Sequence, residues 1–186
     1  MASDPIRHLF TTAEYHTMAD AGVFAEDDRL ELIEGEVFQM PPVGHRHAAQ
    51  VKRLLSVLGD AFRGRAILGV QDPIHLDDFS EPQPDLAVLR RKDDFYLDRH
   101  PGPEDVFLVV EVADTTLEFD RRRKLPLYAR SGVAEVWIAN LVDGLVEVYR
   151  EPTPHGYRQT LRLNREDKIA PTAFPDVELL VGDLLG

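Results

Sequence analysis

The chain has 186 residues and no cysteine, so disulfides and thiolate metal sites are excluded, and any metal must be held by oxygen or imidazole ligands. Its formal net charge of -12 argues against strong non-specific binding to nucleic acid, which needs Lys and Arg to neutralise phosphates, but leaves room for a local basic face. The length suits one compact domain, and the opening residues Met1-Ala2-Ser3-Asp4-Pro5-Ile6-Arg7 lack an apolar targeting core; together with the absence of a long apolar run this predicts a cytoplasmic protein without a membrane span.

In chain order, Thr11-Thr12-Ala13-Glu14 reads as a capping box opening a short helix that stops near Gly22. Leu30 to Met40 predicts a strand pair or a bulged strand around Gly35, broken by Pro41-Pro42-Val43-Gly44. A helix is expected from about His47 to Phe62, because Val51, Leu54, Leu55 and Leu58 fall at helical spacing. Ala66 to Leu76 reads as a strand despite Pro73, Asp77 to Pro82 as a turn, and Asp85 to Leu89 as the next strand. Asp93 to Asp105, rich in Asp, Pro and Gly, reads as a loop. Val106 to Val112 has the continuous β-branched and aromatic pattern of a strand buried on both faces. A helix from about Asp120 to Ser131 follows, with Pro126 in its first turn or kinking it. Val133 to Ala139, Leu145 to Arg150 and Tyr157 to Leu163 read as strands, with a hairpin turn at Asp143-Gly144. The tail from Phe174 to Leu184 is apolar enough to pack back on the body. This order predicts an α/β or α+β sandwich around a mixed sheet.

Two acids interrupt the apolar strands. Asp85 begins one and Glu111 lies inside another. A carboxylate in a buried strand is costly unless something pairs with it. If the two strands are neighbours, the carboxylates converge, and a cation between them relieves their repulsion. An all-oxygen site with open positions suits Mg²⁺ or Mn²⁺, which polarises a phosphoryl oxygen and generates a hydroxide nucleophile. Lys124 lies on the following helix, at the edge of a stripe with Leu125, Tyr128 and Ala129, from where its ammonium can reach the acids.

These residues carry a resemblance. The pieces Glu31-Leu32-Ile33-Glu34-Gly35-Glu36, Gln83-Pro84-Asp85-Leu86, Val109-Val110-Glu111-Val112-Ala113-Asp114-Thr115-Thr116, Asp120 to Val133, and Glu135-Val136-Trp137-Ile138 occur in the order expected of the Uma2-type restriction-endonuclease-like proteins (DUF820). The chain thus resembles the PD-(D/E)XK nuclease superfamily over most of its length. The resemblance implies a restriction-endonuclease-like mixed β-sheet flanked by helices. It divides a single domain, 1–186, into an N-terminal helix and strand extension (1–45), a nuclease-like core (46–140) and C-terminal strands (141–186). It also implies divalent metal at Asp85 and Glu111, and hydrolysis of DNA phosphodiesters. Ala113 stands where the superfamily's lysine is expected, and the family pattern puts Lys124 in that role. Glu31 is the candidate third acid, with Glu34 and Glu36 as alternatives that strand alternation does not separate.

Each residue also has a plainer role: Asp85 as a turn cap, Glu111 in a structural ion pair, Lys124 and Glu31 at the surface. His45 and His47 follow the Pro-Pro-Val-Gly break and could touch phosphate or metal. Trp137 and Tyr128 read as core residues. Asp114 and Asp120 could orient Lys124 or cap its helix. The basic clusters Arg90-Arg91-Lys92 and Arg121-Arg122-Arg123-Lys124 are candidate phosphate contacts or solvated faces. The rivals to a DNA endonuclease are a non-catalytic binding module on the same scaffold and a hydrolase of a small phosphate ester. DNA is the expected partner, and a homodimer would suit two strands of a duplex.

Overall fold

The computed structural model describes residues 6–25 and 27–186. The opening segment read above for targeting lies mostly outside them. Helix α1 (Thr12–Asp20) begins at the expected capping box: the Thr11 hydroxyl accepts from the Glu14 N–H, and the Glu14 carboxylate accepts from the Thr11 N–H. Strands β1 (Leu30–Ile33) and β2 (Glu36–Gln39) form an antiparallel pair. Its two-residue turn puts Glu34 at φ 54° and Gly35 at φ 76°, the primed-turn geometry that matches strand twist. A Cβ at Gly35 would stand 2.5 Å from Leu9 Cβ, so the chain ahead of α1 crosses this turn at a distance that excludes any side chain.

Helix α2 (His45–Ala61) precedes a six-stranded sheet in the order β3-β4-β5-β6-β7-β8. The strands are β3 (Ile67–Gly69), β4 (Leu86–Leu89), β5 (Val106–Ala113), β6 (Glu135–Asn140), β7 (Leu145–Thr153) and β8 (Gly156–Leu163). β5 and β6 pair in parallel and every other neighbour is antiparallel, so the sheet is mixed, as expected. A short pair, β9 (Lys168–Ile169) and β10 (Leu179–Leu180), and helix α5 (Val181–Leu185) close the chain. No helix among the described residues is long and apolar enough to cross a membrane.

β3 is shorter than the Ala66–Leu76 strand expected. Past Gly69 the backbone turns at Gln71 (φ 56°), and Pro73 has no N–H for a ladder. The segment beyond it bonds elsewhere, from the Ile74 N–H to Pro82 and from the Leu76 N–H to Ser80. The helix expected from Asp120 to Ser131 is also more irregular. An α-helical turn α3 (Leu117–Phe119) runs into a π turn (Asp120–Lys124) and then α4 (Leu125–Arg130), with Pro126 in the first turn of α4. A proline there cannot donate to the preceding turn and its ring crowds the carbonyl four residues back; the wider π turn absorbs both effects.

The sheet is covered on both sides. On one, Val51, Leu54 and Leu58 of α2 and the tail residues Phe174, Val181 and Leu184 pack on Leu86, Val110, Val112 and Trp137. On the other, Leu127 and Tyr128 of α4 and Ile33 of the hairpin pack on Val109, Ala113 and Ile138. Side chains alternate along β5, so Glu111 shares this second face with Val109 and Ala113. The acid is therefore delivered beneath α4 and the hairpin.

Candidate active site

β4 and β5 are neighbours, with Leu86 opposite Val110, and this register brings Asp85 beside Glu111. The Asp85 N–H donates to Glu111 Oε2 (3.3 Å), and the Val112 N–H donates to Asp85 Oδ2 (2.9 Å). Lys124, from the π turn, is 3% exposed and donates to Glu111 Oε1 (3.3 Å) and Glu31 Oε1 (3.0 Å). The hairpin turn thus settles which of its acids faces inward. Glu31 is buried on Lys124, whereas Glu34 and Glu36 lie at the surface with Arg130, Arg123 and Arg7.

Residues to which the sequence gave smaller parts complete the cluster. The Tyr128 hydroxyl donates to Glu111 Oε1 (2.7 Å). Its spacing of four from Lys124 is the signal that places both on one helical face. His47 Nε2 lies 3.0 Å from Asp85 Oδ2, and Gln71 donates to Asp85 Oδ1 (3.2 Å). Nothing in the sequence singles out Gln71, because it reaches Asp85 by the irregular turn after β3. Asp120 is buried and accepts from the Thr116 hydroxyl (2.8 Å). His45 stands apart and is exposed, and Asp114, at the edge of the site, pairs with Arg46 (3.2 Å). Glu31, His47, Asp85, Glu111, Asp114, Asp120 and Lys124 line a cavity of about 140 Å³, bordered by residues 40–44 between β2 and α2.

The electrostatics are unbalanced. Four carboxylates, of Glu31, Asp85, Glu111 and Asp120, surround the one ammonium of Lys124. Burial pushes the Glu111 carboxyl up to about 8; Lys124 opposes this, while Asp120, Asp85 and Glu31 add to it. Asp120 is pushed up to about 6 by burial in the same field, against the pull of Lys124 and the Thr116 hydrogen bond. Burial also works against a charge on Lys124, yet the four carboxylates outweigh it and hold the ammonium above its ordinary range. Asp85 moves the other way: burial raises it, but His47, the Val112 N–H and Lys124 bring it below the usual carboxylate value.

A protein-family model described as "Uma2: Putative restriction endonuclease" matches residues 12–182. The chain belongs to the Uma2 family. No curated protein matches it. A crystal structure from Anabaena variabilis ATCC 29413, described as "a putative nuclease belonging to DUF820", is similar over 95% of this chain and 97% of that one, with a TM-score of 0.71 at 16% identity. At that identity the likeness establishes the fold: a mixed sheet flanked by helices, shared with a nuclease-like neighbour.

In this Uma2 chain no three His, Asp or Glu side chains among the described residues converge closely enough to hold a metal ion in the arrangement seen. Their oxygens are engaged by Lys124, Tyr128, His47 and Gln71. The donor set is nonetheless that of a hard divalent cation. It is built of carboxylates, it carries more negative charge than Lys124 neutralises, and Glu31 Oε2 is buried without a hydrogen-bond partner. That oxygen is 3.0 Å from Lys124 Nζ, but the ammonium's hydrogen bond goes to Oε1.

Proposed function

We propose that this Uma2 protein is a metal-dependent endonuclease that hydrolyses DNA phosphodiesters, with Asp85 and Glu111 holding Mg²⁺ or Mn²⁺. The observation that carries this reading is the buried group of four carboxylates served by one lysine. As a structural device such a group is costly, because each unpaired buried ion retains a desolvation penalty of about several kcal/mol. As a cation site it is economical. The bound cation supplies Lewis acidity toward a phosphoryl oxygen and lowers the pKa of water.

The remaining work falls to side chains. Tyr128 fixes one oxygen of Glu111, and His47 and Gln71 fix the two oxygens of Asp85, so both acids are oriented before any ligand arrives. Glu31 completes or orients the acidic set. Lys124 stays protonated, held between Glu31 and Glu111, and its N–H groups orient the attacking water or offset charge developing on the phosphate. Calorimetric titration of Mn²⁺ into wild type and Asp85→Ala/Glu111→Ala, with plasmid nicking by the same samples, tests this. Uptake and nicking should both vanish in the variant; unchanged nicking would refute the assignment.

A second reading, hydrolysis of a smaller phosphate ester, draws support from the ion pairs. Arg121, Arg122 and Arg123, candidate DNA contacts by sequence, pair with Glu147, Glu118, Glu34 and Glu36. This reading predicts Mn²⁺-dependent turnover of bis(4-nitrophenyl) phosphate without oligonucleotide affinity at low salt.

A further inference from the structure

A phosphate approaching the acid cavity meets five carboxylates, those of Glu31, Asp85, Glu111, Asp114 and Asp120. Two cations beside them are already committed. Lys124 is buried between Glu31 and Glu111, and Arg46 pairs with Asp114. A third cation is not. Arg29 lines the same cavity, and none of the five acids pairs with it: Asp85 is engaged by His47 and Gln71, and Asp120 by Thr116.

Position as well as charge sets Arg29 apart. The β1–β2 ladder continues one step beyond the strands, where the Met40 N–H donates to the Arg29 carbonyl (2.7 Å). Side chains alternate along this extended backbone, so Arg29 shares a face with Glu31, two residues on, which reaches Lys124. Among the described residues the guanidinium makes one hydrogen bond, to the Pro41 carbonyl (2.8 Å) at the border of the cavity. That bond orients the guanidinium without neutralising it, and it engages one of five N–H donors. Neighbouring Asp28 is taken up elsewhere, by the Ala25 N–H (2.9 Å) and the Gln39 amide (3.3 Å). Arg29 is partly exposed whereas Glu31, Asp85 and Glu111 are buried, so it stands at the entrance and the acids on the floor. The planar donor fork of arginine matches phosphate oxygens better than any other side chain.

We propose that Arg29 is the substrate anchor of this site, gripping the non-bridging oxygens of a phosphodiester as it enters the acid cavity. The choice of a phosphodiester rests on the nuclease reading above. A nucleic-acid strand and a small phosphodiester present the same oxygens, and the test separates them.

Anisotropy of a fluorescein-labelled single-stranded oligonucleotide of about twelve nucleotides is measured over a salt series in Ca²⁺, which accepts the same carboxylate ligands as Mn²⁺. Binding of dimethyl phosphate is followed separately by phosphorus NMR, and Mn²⁺ uptake by calorimetry. The proteins are wild type, Arg29→Gln and Arg29→Lys, checked for folding by circular dichroism. Arg29→Gln should bind the oligonucleotide about tenfold or more weakly, with a log–log salt slope shallower by about 0.7 for one lost phosphate contact. Arg29→Lys keeps the charge and should keep the slope, with part of the affinity. Mn²⁺ uptake should persist in Arg29→Gln. Equal affinities in wild type and Arg29→Gln overturn the proposal, as does a wild type that binds neither probe. Loss of Mn²⁺ uptake in Arg29→Gln also overturns it, by making Arg29 a support of the acids. Arg29-dependent binding of dimethyl phosphate without oligonucleotide binding keeps the anchor and makes a small phosphodiester its ligand. The two readings fail separately: nicking with equal affinities removes the anchor alone, whereas Arg29-dependent affinity without Mn²⁺ uptake at the acids removes the catalytic reading alone.

Discussion

Two glutamates in the central strands, Glu111 on β5 and Glu147 on β7, are nearly equally buried, at 3% and 2% exposed. Both are served from the same π turn. Arg121 donates to Glu147, its Nε lying 3.1 Å from Oε2, while Lys124 donates to Glu111. Glu147 takes two donors of its guanidinium and shares it only with the exposed Glu118 (3.6 Å), while the Asn140 amide (2.9 Å) and the Tyr149 hydroxyl (2.6 Å) fill its remaining acceptor positions. Burial pushes its carboxyl up, but these donors together hold it below the ordinary value. Glu111 must share its ammonium with three other acids and is pushed up to about 8. Depth alone therefore does not distinguish a structural acid from a candidate ligand. The ratio of anions to cations around it does.

The largest test of that contrast exchanges the cations. Lys124→Met and Arg121→Met each strand buried carboxylates and should each cost about 3–5 kcal/mol in urea denaturation of the metal-free protein. Mn²⁺ should recover part of the loss in Lys124→Met and none in Arg121→Met. Recovery in both, or in neither, would erase the distinction.

Exchanging the acids should give a smaller effect, of different character at the two sites. Glu147→Gln gives up its charged hydrogen bonds with Arg121 and should lower stability by about 1.5–3 kcal/mol. Glu111→Gln retains an acceptor for Tyr128 and Lys124 and relieves the acid cluster, which offsets the loss of the long Asp85 N–H bond (3.3 Å), so the metal-free protein should stay close to wild type in stability, while nicking falls by about a hundredfold or more. A metal-free Glu111→Gln protein as weak as Glu147→Gln would make Glu111 structural.

The pH dependence sharpens the structural side. The folded-state pKa of Glu147 is lowered, so its pairing stabilises the fold fully above the ordinary glutamate range and is lost as pH falls through the folded value. The stability gap between wild type and Glu147→Gln should accordingly persist from neutrality to mildly acidic pH and narrow below about 4.3. The smallest effect is expected at Arg122, whose side chain is 80% exposed and pairs with the exposed Glu118. Arg122→Ala should leave both denaturation and nicking unchanged within error.

What the sequence discloses follows the same chemistry. Asp85, Glu111 and Lys124 stand out because charged side chains interrupt apolar strands or edge an apolar helical stripe, and the structure brings all three together with Glu31. The capping box and the central strands are equally local signals. The partners of the basic cluster are not: Glu147 is 26 residues from Arg121, and Glu34 is 89 from Arg123, so tertiary pairing turns a run of apparent phosphate contacts into ion pairs. Gln71 and the shortened β3 are hidden for a related reason, since their positions depend on a turn whose hydrogen bonds go to distant residues.

The π turn carries a consequence of its own. It holds about one residue more than an α-helical turn, and each residue of a helix subtends about 100°. Deleting a single residue between Asp120 and Lys124 would let the backbone relax into an ordinary helix with α4 still seated on the sheet. The segment ahead of the deletion would then rotate relative to the segment behind it, so that Arg121 and Lys124 could no longer face Glu147 and Glu111 at once. The extra residue works as a phase adjuster: it lets one short stretch of helix address two strands whose spacing does not match the helical repeat. At this point of the chain the number of residues matters alongside the identities of Arg121 and Lys124.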